Sequence, residues 1–274
     1  KMFAGKKAIT AMLMWLFNPV TLYSAYGIGA FDLYPVMFVM LAYYFYLKNS
    51  VNKSALMLGI GGAYKLFPLL LLPMLMVDRN IKFKEKVSLT IVGIAGYIVP
   101  ILPYLLTSPG FRMYALIAPQ TDKMLFAKIP VSGAEYLSLF IIILGLMIVL
   151  FRNTGKLIPS WLGILLTFFA VTHYHPQWMV WVVPLVIITM IKLPETKFYY
   201  GLLGLCYLVI IFSFDSSLNY ALLLPFHNWP TVVNFVPPQL ELFKYLSMVR
   251  SVAAGVTAFV IYKLFTSLSA EKSS

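Results

Sequence analysis

Cysteine is nearly absent from this chain, and acidic residues are scarce. The single Cys206 excludes an intrachain disulfide framework and any metal site built on paired thiolates. Aspartate and glutamate number 9 against 21 lysines and arginines. Charged residues are only 11% of the 274, where a water-soluble domain carries roughly a quarter. Walker loops, serine nucleophile elbows and dinucleotide fingerprints are missing, because Gly27-Ile28-Gly29 and Gly59-Ile60-Gly61-Gly62 lack the strand–turn–helix context such motifs need. Alternating ten-residue strands are missing too, which excludes a membrane barrel. What is present is apolar: 61% hydrophobic residues and a mean hydropathy of +0.86, more than a water-soluble core can hide.

Apolar stretches recur along the chain, among them 8–23, 33–47, 55–77, 87–106, 134–150, 177–191, 198–214 and 245–265, several of them near the roughly 20 residues of a bilayer-crossing helix. The fold class expected is all-α, a polytopic transmembrane helical bundle. With no internal repeat, residues 1–274 read as one transmembrane domain. The net charge of +12 does not imply nucleic acid, since the basic residues form short clusters beside apolar stretches, as topology signals do. The opening Lys1-Met2-Phe3 has neither an initiator methionine nor a signal-peptide layout, so the chain is expected to be the C-terminal portion of a longer protein.

The positive-inside rule puts Lys1, Lys6 and Lys7 with Lys48 and Lys53 in the cytoplasm and turns Asp32 outward. A single crossing at 55–77 would then throw Arg79, Lys82, Lys84 and Lys86 outside and invert every later loop. A re-entrant hairpin avoids this, with Gly59, Gly61 and Gly62 loosening the helix and Pro68 and Pro73 interrupting its hydrogen bonds. About eight spans plus one re-entrant segment result. The outer loops become 24–32, 107–133, 172–176 and 215–243, which gather Asp32, Asp122, Asp215 and all three histidines on the face away from the lysines.

Asp32 ends a glycine-bearing loop and reads either as a functional carboxylate or as the cap of the helix that follows. Lys65 lies in an apolar run, where an ammonium needs a lipid phosphate, a route to water or a carboxylate partner. The run Thr172-His173-Tyr174-His175-Pro176-Gln177-Trp178 sets two imidazoles and an amide at an outer helix start, able to donate to phosphate or sugar hydroxyls. An interfacial aromatic belt would use the same residues. Two-residue spacing of His173 and His175 argues against a zinc pair on one helical turn. Arg112 in one long loop is a further candidate for an anion, and His227-Asn228-Trp229 in the other suits carbohydrate.

In order along the chain, Asn18-Pro19, Gly27-Ile28-Gly29-Ala30-Phe31-Asp32, Leu58-Gly59 through Lys65 and Pro68 to Leu72-Pro73, and His175-Pro176-Gln177-Trp178 with Trp181 and Pro184 resemble the GT-C glycosyltransferases, particularly the polyprenol-phosphate-mannose-dependent mannosyltransferases of glycosyltransferase family 87. The resemblance implies transfer of a hexose, mannose, from a polyprenyl-phosphate-linked donor to a lipid or glycan acceptor on the extracytoplasmic face. It implies donor-phosphate contacts from Lys65, His175 and Arg112, substrate contacts from His173, Gln177, Trp178 and His227, and a catalytic role for Asp32. Such enzymes usually carry the principal base in a first outer loop ahead of the Asn-Pro segment, so that base is expected upstream of Lys1. No metal ligand set is implied, and a divalent metal stays open. A polyprenyl-lipid flippase or transporter is the alternative, since it needs the same lysine and outward cavity but no base.

Overall fold

The computed structural model describes residues 5–116, 122, 125, 127–133, 135–212 and 242–268. Most of the expected 215–243 loop, with His227, lies outside the described residues. The chain is mostly helical, as expected. Helix α1 (Lys6–Leu16) stops where Pro19 cannot continue its hydrogen bonding; the Asn18 side chain accepts from the Val20 amide at 2.9 Å and starts α2 (Pro19–Thr21). The latter runs into a π-helical turn, Leu22–Gly27, bent 44° from α1.

Helices α3 (Leu33–Leu47) and α4 (Val51–Tyr64) form the next hairpin. At Lys65 the backbone turns extended, with φ −159° and ψ 136°, and a 3-10 turn, Phe67–Leu71, leads into α5 (Leu72–Val77). The chain has reversed here: a methyl built on Gly93 would touch both Leu72 and the Ala55 carbonyl, so α5 begins beside the start of α4. The return is fastened where it arrives. Tyr46 Oη, near the end of α3, donates to Asp78 Oδ2 at 2.8 Å, and Arg79 donates to Asn153 Oδ1 at 2.9 Å. Segment 51–77 therefore goes out and comes back within the protein; the expectation for 55–77 is a hairpin re-entering a membrane, of which this reversal is the part observed.

The glycines serve it differently from the expectation. Gly59, Gly61 and Gly62 do not loosen α4; they are helical and buried, and they let neighbouring chain come close. A Cβ at Gly59 would stand 2.2 Å from the Gly93 carbonyl oxygen on α6 (Phe83–Thr107), and one at Gly62 would stand 2.6 Å from Leu69. The break itself belongs to Lys65 and Pro68.

After α6 and a second π-helical turn at Phe111–Leu116, an antiparallel hairpin of β1 (Lys128–Ser132) and β2 (Glu135–Ser138) pairs Ile129 with Leu137 and Pro130 with Tyr136. It is the one departure from an all-helical chain among the described residues, and it delays the helix expected from 134: the Ser138 hydroxyl caps α7 (Leu139–Thr154), which ends on left-handed Gly155. Next, α8 (Leu157–Val171) is the centre of the molecule, every residue from Leu157 to Phe169 being buried, as befits a helix apolar on all sides. A 3-10 turn, Pro176–Trp181, precedes α9 (Val183–Lys192), then α10 (Lys197–Phe212) and α11 (Leu242–Ser267).

Among the described residues, two helical stretches can each cross a membrane by length and composition, Phe83–Thr107 and Tyr245–Ser267, and the bent pair Lys6–Leu16 with Pro19–Gly27 passes together. Other apolar helices are shorter, among them Leu33–Leu47, Leu139–Thr154 and Leu157–Val171. Of the about eight spans expected, those two have the dimensions of a full crossing.

The Gly59 contact has a measurable consequence. Gly59→Ala is expected to cost about 2–3 kcal/mol through overpacking against α6. Gly145→Ala, on an open face of α7, is expected to be neutral or to stabilise by up to about 1 kcal/mol. Thermal unfolding of both variants in detergent checks the contrast.

Candidate functional site

Asp32 occupies the N-cap position of α3, yet its side chain makes no capping bond. Its Oδ1 accepts instead from Lys65 Nζ at 2.5 Å and from the Trp181 indole nitrogen at 2.6 Å. Of the partners open to Lys65 from sequence, the carboxylate is thus the one observed, and the capping role of the Asp32 side chain is not. The pair brings together residues 33 and 149 positions apart in sequence. It is the one salt bridge among the described residues.

Local backbone explains how three segments meet there. Gly29, at φ +67°, turns the chain out of the π-helical segment toward Asp32. The extended backbone at Lys65 takes that residue off the axis of α4. Trp181 comes from the 3-10 turn, and a turn of three residues eclipses side chains at i and i+3. Trp178 and Trp181 consequently stack at 5.2 Å and 13°, and His175, three residues earlier, lies 5.2 Å from Trp178. Phe67 covers the other face of Trp181 at 4.2 Å and 9°. The ammonium of Lys65 is 4.8 Å from the Trp178 ring centre, 5.2 Å from that of Trp181 and 5.6 Å from that of Phe31, within reach of cation–π attraction.

Beside this cluster opens a cavity of about 470 Å³. Lys65, His175, Gln177 and Trp178 line it with Tyr97 and Ile101 of α6. The side chain of Lys65 is 21% exposed and that of Asp32 only 3%, and Asp32 is not among the lining residues. Buried Gln177 Oε1 has no hydrogen-bond partner among the described residues, while the Gln177 backbone carbonyl accepts from Ser24.

Four sequence-expected residues therefore converge: Lys65, His175, Gln177 and Trp178, with Asp32 behind them. Others lie elsewhere. Arg112 donates to the carbonyl oxygens of Leu105, at 2.7 Å, and Leu106, so it closes the C-terminal end of α6 and does not line the cavity. His173 is exposed and stands outside the lining, its ring 6.5 Å from that of His175. His227 lies outside the described residues. Trp181 and Phe67 were not singled out as site residues from the sequence; the three-residue spacing of His175, Trp178 and Trp181 was the legible signal for the first.

The chain matches no family model, no curated protein and no solved structure. Its site must be read from its own chemistry. A cation, an imidazole and indole rings at the wall of a mostly apolar cavity can hold an anionic group carried on an apolar body. Among the described residues no three His, Cys, Asp or Glu side chains gather as a metal ligand set. Next to the site, Tyr174 packs under the Arg250 guanidinium at 5.2 Å; burial, only partly opposed by that charge, pushes its phenol up to about 12. It stays neutral at ordinary pH and contributes no charge to the cavity.

Removing one member of the ion pair strands the other. Lys65→Met leaves a buried carboxylate held only by an indole and is expected to cost about 3 kcal/mol. The double variant Lys65→Met/Asp32→Asn is expected to regain most of that loss. Unfolding midpoints of the two, measured in the same detergent, test whether the charges are coupled.

Proposed function

We propose that the protein is a multi-pass membrane glycosyltransferase. In this reading it moves a hexose, mannose by family resemblance, from a polyprenyl-phosphate donor to a lipid or glycan acceptor on the extracytoplasmic face. The observation that carries the reading is Lys65, an ammonium at the wall of a mostly apolar cavity with His175 beside it. A phosphate on an isoprenoid tail requires both surroundings at once: donors for the oxygens, apolar walls for the chain. Free sugars and nucleotides need more polar lining than this cavity offers. Charge-based placement of the loops supports the sidedness, with Asp32 outward and the 79–86 cluster inward.

The reaction is a single displacement. An acceptor hydroxyl oxygen bonds to sugar C1 as the bond from C1 to the phosphate oxygen breaks, and the bonding pair leaves on the phosphate. Lys65 and His175 stabilise that developing charge. The hydroxyl proton passes to a carboxylate; among the described residues Asp32, paired with Lys65 behind the cavity wall, is the candidate.

One observation favours a lipid flippase or transporter instead: among the described residues no aspartate or glutamate lines the cavity, and a flippase needs none.

The test is incorporation of radiolabelled mannose from polyprenyl-phosphate-mannose into extracted acceptors by the protein in lipid vesicles. Transfer is expected, falling about 100-fold or more in Lys65→Met. Should the vesicles bind the donor and carry it across the bilayer without incorporation, the transferase reading gives way to the flippase. If donor neither binds nor reacts, the phosphate reading of the cavity is wrong.

A further inference from the structure

The contacts of Asp32 have a second meaning, which rests on the phosphate reading of the cavity. Its Oδ1 collects two strong donors, the Lys65 ammonium at 2.5 Å and the Trp181 indole N–H at 2.6 Å. That is the reception a ligand oxyanion would need. The two groups differ in access: Lys65 lines the cavity and Asp32 does not. A ligand entering the cavity meets the ammonium without meeting the carboxylate. One ammonium cannot give full charge compensation to both.

We infer that Asp32 is a resident anion in competition with the ligand, so that binding of a phosphate transfers Lys65 from the carboxylate to the ligand. The carboxylate stays on Trp181 and is left without its cation. The aromatic faces of Trp178, Trp181 and Phe31 around the ammonium lower the cost of the exchange, because they attract the cation whichever anion it faces. Asp32 is thereby a positioning residue for Lys65 in the empty site and a competitor during binding.

Competition and simple support predict opposite signs. Farnesyl phosphate is titrated into the detergent-solubilised protein and into Asp32→Asn, with farnesol and inorganic phosphate as companion probes. If Asp32 competes, Asp32→Asn binds farnesyl phosphate roughly tenfold tighter, with farnesol unchanged. Equal or weaker binding by a folded Asp32→Asn overturns the exchange and leaves Asp32 a support for Lys65. A gain confined to farnesyl phosphate places the anion at the end of an apolar tail, and a gain shared by inorganic phosphate supports the same exchange with a free ion as ligand. Absence of farnesyl phosphate binding by the unaltered protein removes the phosphate reading itself, and the exchange with it.

A second measurement does not depend on a variant's folding. With carbon-13 in the aspartate carboxyls, saturating the unaltered protein with farnesyl phosphate is expected to shift one carboxylate stretching band in the infrared difference spectrum. Farnesol should not shift it. An unmoved band overturns the exchange.

Discussion

A charge taken out of water must be met by another charge or by a dense set of donors and acceptors, and at the site of this chain the burden falls on one contact, Lys65 with Asp32. The Asp32 side chain is 3% exposed, and an unpaired ion so placed costs several kcal/mol. Each of the three segments that meet there has a shape that serves the meeting. The π-helical turn and left-handed Gly29 bring Asp32 to the start of α3, the extended backbone at Lys65 ends α4, and the 3-10 turn presents Trp181. Regular helix through any of the three would move its side chain. Departures from α geometry are expensive in isolation, and their coincidence at one ion pair shows where that cost is offset.

The hairpin of α4 and α5 depends on the same contact at its tip and on a different one at its foot. At the tip, Lys65 is tied to Asp32; at the foot, Asp78 is tied to Tyr46. Between them Gly59 of α4 lets Gly93 and Gly96 of α6 approach to backbone distance. Close approach trades side-chain area for dispersion contacts between backbones, a trade that suits an environment where lipid is as apolar as any side chain. The outcome is a closely packed wall of α4 and α6 on one side of the cavity, with Lys65 lining it too.

Some of this was legible in the sequence. Proline at positions 19, 68 and 176 marks three of the breaks, where a missing N–H ends regular hydrogen bonding, although α6 carries Pro100 and Pro103 in its interior. A reversal within 55–77 is expected from its prolines and flanking lysines, and the chain does reverse there. What could not be read was the purpose of particular residues whose type admits several. Glycine loosens a helix or admits a neighbour, and only the position of Gly93 on α6 decides between them. Aspartate before a helix caps it or turns away, and the choice is made by Lys65, 33 positions later. Arg112 has the charge for a phosphate, but the carbonyls of Leu105 and Leu106 are closer at hand. The stacked indoles were hidden by assuming α periodicity from residue 177, where the real period is three.

The neutrality of the Lys65–Asp32 pair governs what the cavity can do. An unpaired ammonium would bind any anion strongly and release it slowly, which suits neither catalysis nor transport. A paired one presents a cation whose charge is already partly spent, so affinity comes from the difference between two partners and not from the full strength of either. Under the proposed lipid-phosphate reading, that difference is where a tail would matter: burying isoprenoid units against Leu66, Leu70 and Ile101 would add about 0.8 kcal/mol for each methylene taken from water, enough over a few units to tip a balanced pair. In that proposal, selectivity for a lipid phosphate over free phosphate would need no additional polar contact. It follows from setting a compensated cation at the edge of an apolar wall.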